Sequence, residues 1–248
     1  MAFKDLFSGT SLAYARFRPS YPDALFDWLA SAAPARNVAV DVGAGSGQAT
    51  AALAARFARV IAVDPSAAQL ANAPARERVT YRQGSAEATT VDAASTDLLV
   101  AAQALHWFAA EPFFNEARRI VRPGGVLAVW CYAVAAITPH IDALVHELYE
   151  QVLGAYWEPE RRLVETGYAT VRFPFPEMEV PSFEMRLTWT LEQLVGYLGT
   201  WSALQRYLRE RGDNPLEAMF PRIEAAWGRA PVREVRWPLA VRAFLPCR

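Results

Sequence analysis

The sequence predicts an α/β protein: a doubly wound, mostly parallel sheet of seven strands, with an antiparallel edge strand and a C-terminal helical cap. Short apolar segments alternate with segments of helical periodicity up to Tyr132. A glycine-rich turn joins the first apolar segment to a helix, and after Tyr132 the pattern changes to helices followed by a final strand. The first half of the chain is therefore expected to form parallel strands covered by helices on both faces, and the second half to add strands that return to the same sheet.

The first half of the chain alternates helices with short strands. Leu25, Phe26 and Leu29 recur at helical spacing before Pro34, which predicts the first helix. Apolar runs bounded by turn residues predict five strands. In chain order the predicted elements are helix 23–33, strand 38–42, helix 47–57, strand 60–63, strand 79–82, strand 97–102, helix 111–121, a turn at 122–125 and strand 126–132.

The second half is predicted to cap the sheet and then to complete it. Thr190, followed by Glu192 and Gln193, is typical of a helix start. The predicted elements are helix 141–153, strand 183–189, helix 191–210, helix 216–227 and a final strand 232–244 that is broken at Pro238. We therefore expect residues 1–135 to form the core with an N-terminal lid segment, and residues 136–248 to add the cap and last strands within the same domain.

Composition narrows the classes of function. The net charge of −1 gives no basic field for general nucleic-acid or membrane binding. Cys131 and Cys247 have no metal-binding spacing, so we expect no metal and two reduced thiols. The N-terminus lacks a signal-peptide core, and no apolar run reaches the length of a membrane span. We expect a cytoplasmic protein, and its oligomeric state is left open.

The glycine loop after the first strand carries the main functional signal. It runs from Asp41 to Gly47, directly before a helix, with the spacing GxGxG. A dinucleotide loop has its third glycine one position later, where this chain has Gln48. Asp41 would repel a pyrophosphate but would attract a sulfonium cofactor that carries an amino group. Asp64 ends the second strand, where a carboxylate can accept both ribose hydroxyls.

These segments resemble the class I S-adenosylmethionine-dependent methyltransferases, which have a Rossmann-like fold. The resemblance covers residues 38–132 and includes the segment 84–87 and the turn 119–125. A narrower likeness to the trans-aconitate methyltransferase-like branch lies in segments 14–22, 103–108 and 200–203. Ser85 departs from the aspartate that many class I enzymes carry there. The resemblance implies that S-adenosylmethionine contacts Tyr14, Arg18, Asp41, Gly43, Ala44, Gly45, Gly47, Asp64, Pro65, Ser85, Ala86, Glu87 and Gln103.

The methyl acceptor is expected beside the same edge of the sheet. His106 follows the fourth strand and is the candidate catalytic residue, as a base or as a hydrogen-bond donor, or else a structural histidine beneath the cofactor. Aromatic side chains suit an apolar acceptor pocket. The candidate acceptor-binding residues are Tyr21, Trp107, Trp130, Tyr132 and Trp201. Arg161, Arg162, Arg206 and Arg209 are further candidates for binding an acidic acceptor, or solvated charges.

Four functions remain open from the sequence. The leading one is transfer of a methyl group to an oxygen of a small molecule, either a carboxylate or a hydroxyl. A nicotinamide-dependent oxidoreductase is disfavoured by Gln48 and by the absence of a Tyr/Lys pair after the fourth strand. A nucleic-acid methyltransferase is disfavoured by the charge and by the missing signature for a flipped base. A non-catalytic protein that binds the cofactor as a scaffold stays open.

Overall fold

The computed structural model describes residues 19–247, and its centre is one twisted sheet. The strands are β1 (Val38–Val42), β2 (Arg59–Asp64), β3 (Val79–Gln83), β4 (Thr96–Ala102), β5 (Val121–Cys131), β6 (Glu177–Met178), β7 (Phe183–Trp189) and β8 (Arg233–Phe244). The helices are α1 (Asp23–Ala32), α2 (Gln48–Ala54), α3 (Ala67–Ala71), α4 (Ala110–Ile120), α5 (Pro139–His146), α6 (Arg161–Glu165), α7 (Leu191–Gly199), α8 (Ser202–Arg211) and α9 (Pro215–Trp227).

Seven strands lie side by side in the order β3-β2-β1-β4-β5-β8-β6. The strands from β1 to β5 are parallel, and β8 runs antiparallel to β5. The eighth strand, β7, pairs with the first half of β8. The chain winds outward from β1 to β3 and then returns to β4, so β1 and β4 flank the switch point where ligands bind in such sheets. The predicted fold class is therefore confirmed.

The central parallel strands β1, β2 and β4 are mostly apolar and buried because both faces of the sheet are covered. Alternate residues of one strand belong to different clusters: Ala39 packs in the cluster that includes α1, α2 and α7, whereas Val40 packs with α4. The C-terminal helices and α1 cover one face, and α4 with residues 163–175 covers the other. Within residues 19–247, no helix is long and apolar enough to cross a bilayer.

The predicted boundaries were wrong at four places. The helix predicted over 191–210 is two helices, because the Thr200 hydroxyl donates to the Tyr197 carbonyl (2.7 Å) and Trp201 is extended. The helix predicted over 141–153 ends as α5 at His146, and a π-helical segment follows. Strand β8 continues through Pro238, since β5 pairs only from Ala240 onward. Strand β5 begins at residue 121 and absorbs the predicted turn, with a shift in its pairing to β4.

Candidate active site

A cavity of about 870 Å³ opens at the carboxyl ends of β1, β2 and β4. The loops after these strands form its floor, and residues of the C-terminal half form the opposite wall. The sequence-predicted residues that line it are Tyr21, Asp41, Gly43, Ala44, Gly45, Asp64, Pro65, Ser85, Ala86, Glu87, Gln103, His106, Trp107, Tyr132 and Trp201. The edge of the sheet therefore brings together nearly all the residues that the motifs singled out.

The glycine loop is shaped by positive φ angles and by close packing. Gly43 (φ 68°) and Ala44 donate backbone hydrogen bonds to the Val63 carbonyl, at 2.8 and 3.1 Å, which ties the loop to β2. A β carbon on Gly43 would lie 2.5 Å from that of Ala104, so only glycine fits. A β carbon on Gly45 (φ 56°) would meet no atom within 4 Å. The backbone at Gly45 therefore borders open space in which a ligand can approach it.

Asp41 lies one residue before the end of β1 and is completely inaccessible to solvent. Its Oδ2 accepts a hydrogen bond of 2.6 Å from the Thr50 hydroxyl, whereas Oδ1 has no partner among the described residues. Burial, together with the neighbouring Asp64 carboxylate, raises the pKa of Asp41 to about 7 against the opposing effect of the hydrogen bonds from Thr50. A buried carboxylate oxygen beside a cavity is suited to a cationic ligand group such as an ammonium.

Asp64 stands at the end of β2 and holds two turns in place. Its Oδ2 accepts from the Gly45 amide and its Oδ1 from the Ser66 amide, both at 2.8 Å. Ser66 in turn caps α3 through the Gln69 amide. A carboxylate has about four lone-pair sites, so one aspartate can accept several hydrogen bonds at once. The two interpretations of Asp64 made from the sequence, a turn residue and a ribose acceptor, are therefore compatible.

Residues that follow β3 and β4 complete the wall of the cavity on the side of the glycine loop. Glu87 Oε1 accepts the Ala109 amide (2.8 Å), which joins the loop after β3 to the segment after β4. Gln103 has a left-handed backbone (φ 54°), and its side-chain amide exchanges two hydrogen bonds with the backbone of Tyr132. These bonds clamp the carboxyl ends of β4 and β5 together, so Gln103 also fixes the position of Tyr132.

His106 lines the cavity and is almost fully buried, at 7% exposure. Its Nδ1 lies 3.1 Å from the hydroxyl of Tyr168, a residue that is itself completely buried. Burial lowers the pKa of His106 to about 3, and the positive charge of Arg161 acts in the same direction. His106 is therefore a neutral imidazole at physiological pH, with Nδ1 engaged.

Four of the five aromatic candidates line the wall of the cavity, and the fifth lies in the core. Trp107, Tyr132, Tyr21 and Trp201 line the cavity. Trp130 does not line it: this side chain points into the core, where it packs edge-on against Tyr21 with the ring centroids 5.5 Å apart. Trp130 and Tyr132 share one face, since they are two residues apart, but Trp130 lies deeper within β5 and the cavity reaches only Tyr132, just beyond the end of the strand. Gly47 also lies outside the lining, where it begins α2 with φ 87°.

Several lining residues were missed or undecided from the sequence. Tyr197 lies four residues before Trp201, a spacing that could have identified it within the helix predicted over 191–210. Glu160 gave no signal, yet its buried Oε2 has no partner among the described residues. The arginine candidates separate: Arg161 lines the cavity and Arg162 is exposed, whereas Arg206 and Arg209 border a smaller pocket of about 220 Å³.

Arg161 packs against aromatic side chains in the wall of the cavity. Its guanidinium lies 5.0 Å from the Trp157 ring centroid and donates to the Tyr149 hydroxyl at 2.9 Å. No carboxylate lies within ion-pair distance of Arg161 in the part of the chain that the structure describes. Trp157 and Trp201 pack with their ring centroids 5.6 Å apart, which continues the aromatic wall. This side of the cavity therefore combines apolar surface with the positive charge of Arg161 and the acidic side chains of Glu158 and Glu160.

Two predicted cofactor contacts, Tyr14 and Arg18, lie outside the described residues. Among residues 19–247, no group of three or more His, Cys, Asp or Glu side chains is placed to hold a metal ion.

The fold and the glycine-loop site define a class I S-adenosylmethionine-dependent methyltransferase, and residues 40–129 match the methyltransferase domain family. A provisionally named methyltransferase of Dictyostelium discoideum is 33% identical over 245 residues, which cover 96% of this chain and 93% of that protein. A probable S-adenosylmethionine-dependent methyltransferase of Saccharomyces cerevisiae is 26% identical over 83% of both chains. The chain belongs to this methyltransferase family, and its cofactor is S-adenosylmethionine.

A solved structure supports the same assignment. A provisionally named type II methyltransferase of Anaeromyxobacter dehalogenans superposes with a TM-score of 0.87 and is 47% identical, and the match covers 93% of this chain and 99% of that one. The narrower likeness to the trans-aconitate branch is not confirmed by these comparisons and stays a prediction.

Proposed function

We propose that the protein transfers the methyl group to an oxygen, of a carboxylate or a hydroxyl, on a small-molecule acceptor. One observation carries the proposal: a single cavity holds the motif residues at one end and an aromatic wall with Arg161 at the other. Trp157, Tyr197 and Trp201, all from the C-terminal half, stand opposite the strand ends. A cavity walled on two sides suits a compact acceptor better than a nucleic acid, whose flipped base needs an open approach.

The residues around the glycine loop suit the chemical groups of S-adenosylmethionine. The unpartnered oxygen of Asp41 would take the ammonium group, and the open backbone at Gly45 would lie against the methionine portion. Asp64 would accept the ribose hydroxyls, while Ser85, Ala86 and Glu87 would border the adenine. When bound, the cofactor supplies an electrophilic methyl group and departs as a neutral thioether. The C-terminal half would act as the cap of one domain with residues 1–135.

The chain's own contribution is to orient the acceptor and to exclude water. An acceptor with an apolar body would pack on Trp107, Trp157 and Trp201, and an anionic oxygen would be drawn to Arg161. A carboxylate needs no base, because it is already deprotonated and its oxygen lone pair forms the new bond with no proton to remove; a hydroxyl must lose a proton. Unpaired Cys131 and Cys247 support a reducing compartment such as the cytoplasm.

Calorimetric titration tests the cofactor part first. Wild-type protein and Asp64→Ala are titrated separately with S-adenosylmethionine, NADH and NADPH, with the exposed residue Asp92→Ala as the matched control. Loss of two hydrogen bonds from ribose hydroxyls to a carboxylate, each worth about 1.5 kcal/mol or more, should weaken S-adenosylmethionine binding by about 100-fold in Asp64→Ala. Binding of NADH in place of S-adenosylmethionine would overturn the assignment of the loop.

The acceptor part needs a separate screen. Purified protein with S-adenosylmethionine is incubated with panels of small carboxylic acids, phenols and alcohols, short peptides and single-stranded oligonucleotides. Methyl ester or methyl ether products from the small molecules support the proposal. Turnover confined to the peptide or oligonucleotide panels would refute it while leaving the cofactor assignment intact.

A further inference from the structure

Tyr168 is a buried residue that the motifs do not include, and its side chain meets His106 from beneath the cavity. Its hydroxyl lies 3.1 Å from His106 Nδ1, and the two rings are nearly parallel. The backbone reaches this position through two successive left-handed residues, Gly167 (φ 58°) and Tyr168 (φ 62°). A bulky residue rarely adopts such a φ angle, so the surroundings must hold Tyr168 firmly in place.

The contact between Tyr168 and His106 can be arranged in two ways. Either the tyrosine hydroxyl donates to Nδ1, which leaves the proton of the neutral ring on Nε2, or Nδ1–H donates to the tyrosine oxygen, which leaves Nε2 bare. In the second arrangement the hydroxyl proton must go elsewhere. The other polar side chain that it meets in the described part of the chain is the thiol of Cys131.

The surroundings favour donation from Tyr168 to Nδ1. An imidazole nitrogen is a good hydrogen-bond acceptor, whereas a thiol sulfur is a weak one. The Cys131 thiol can give its own proton to the Val164 carbonyl, 3.7 Å away. Because this cluster is buried, a poorly satisfied hydroxyl proton would be costly, and the arrangement with the stronger bond is preferred.

We propose that Tyr168 is a positioning residue that fixes His106 in the tautomer with its proton on Nε2, so that His106 donates a hydrogen bond into the cavity and does not remove a proton from the acceptor. Nε2 has no hydrogen-bond partner among the described residues, and the ring lines the cavity. The titratable groups that act on His106 are Tyr168, Arg161 of α6 and, through Tyr168, Cys131 of β5.

This inference rests on the proposed function for one consequence, the class of acceptor. A donor at His106 and the cation at Arg161 suit an acceptor oxygen that enters as an anion, which points to a carboxylate. The new C–O bond then forms from an oxygen lone pair while the C–S bond breaks with its electron pair going to sulfur. No proton moves, and no base is needed.

The test is ¹⁵N NMR of the full chain with ¹⁵N-labelled histidine, saturated with S-adenosylhomocysteine and titrated from about pH 5 to about pH 9. The sequence has three histidines, so His106 is assigned by comparison with a His106→Gln sample. We expect an unprotonated-type Nδ1 and a protonated-type Nε2, with no titration across this range. Tyr168→Phe should lose this single-tautomer signature, whereas the control Tyr156→Phe, which removes a hydroxyl bonded to Arg211, should keep it.

Two results would overturn the proposal. One is a protonated-type Nδ1 in the wild-type protein, and the other is titration of His106 with a midpoint near its ordinary pKa of 6.5. Cys131→Ala is a second variant whose result does not depend on whether Tyr168→Phe folds. The tautomer of His106 should be unchanged in it, and a change would mean that the Tyr168 hydroxyl donates to the Cys131 thiol. No acceptor is used, so failure here is distinct from failure of the acceptor screen.

Discussion

Substitution of Asp41 by asparagine should stabilise the protein at alkaline pH while weakening cofactor binding. Burial raises the pKa of this carboxyl from 3.8 to about 7. The folded protein therefore keeps the proton up to about pH 7, whereas the unfolded chain releases it near pH 3.8. The stabilisation from proton binding is complete below pH 3.8 and is lost as the pH rises through 7. At 1.36 kcal/mol per unit, the loss amounts to about 4 kcal/mol.

The assay is urea unfolding of wild type and Asp41→Asn at about pH 4 and about pH 8. Asparagine keeps the shape and the bond with Thr50 but does not ionise, so the stability of the variant relative to wild type should increase by about 4 kcal/mol between these pH values. Asp92→Asn, at an exposed site, should show no such change. A stability difference that is the same at both pH values would refute the reasoning, because it would mean that Asp41 is ionised throughout.

Cofactor binding should show the opposite pH dependence. An ammonium group favours the ionised form of Asp41, so affinity for S-adenosylmethionine should rise as the pH passes through 7 in the wild type. Calorimetry at the same pH values should show weaker and pH-independent binding for Asp41→Asn. Equal affinities for the two proteins would place the ammonium group elsewhere.

Two further predictions concern the glycine loop and Glu116 of α4. Both Gly43→Ala and Gly45→Ala should introduce left-handed backbone strain of about 1–2 kcal/mol, but Gly43→Ala should destabilise the protein more, because only its β carbon would overlap that of Ala104. Gly45→Ala should in addition lose cofactor affinity in calorimetry. Burial raises the pKa of Glu116, but the hydrogen bonds from Arg119 and Thr89 outweigh burial and lower this pKa to about 2. The stability that ionised Glu116 contributes should be lost as the pH falls from 4.5 toward 2. In thermal unfolding, Glu116→Gln should therefore lose less stability over this pH range than the wild type.

The sequence predicted the parts of the fold that depend on local patterns. The apolar runs of β1 to β4, the GxGxG spacing and the acid that ends β2 each follow from nearby residues, so the floor of the cavity could be placed in advance. The break at Thr200 was missed because it depends on a side-chain hydrogen bond that competes with a helical pattern. Tyr168 and Glu160 were missed because the segment that carries them has no long helical or strand periodicity, and short turns shape it instead, such as the one closed by the hydrogen bond from the Tyr168 amide to the Leu163 carbonyl (2.8 Å).

The same edge of the sheet concentrates several energetically costly features, which is what a preorganised site requires. Asp41 holds a carboxyl in a fully buried position, and Gln103 and Tyr168 hold left-handed backbones that cost about 1–2 kcal/mol each. Each cost is tied to one side chain: Gln103 fixes Tyr132 through two hydrogen bonds, and Tyr168 meets His106. The hydrophobic core on both faces of the sheet offsets these costs, so the groups can be held in positions that suit binding rather than folding.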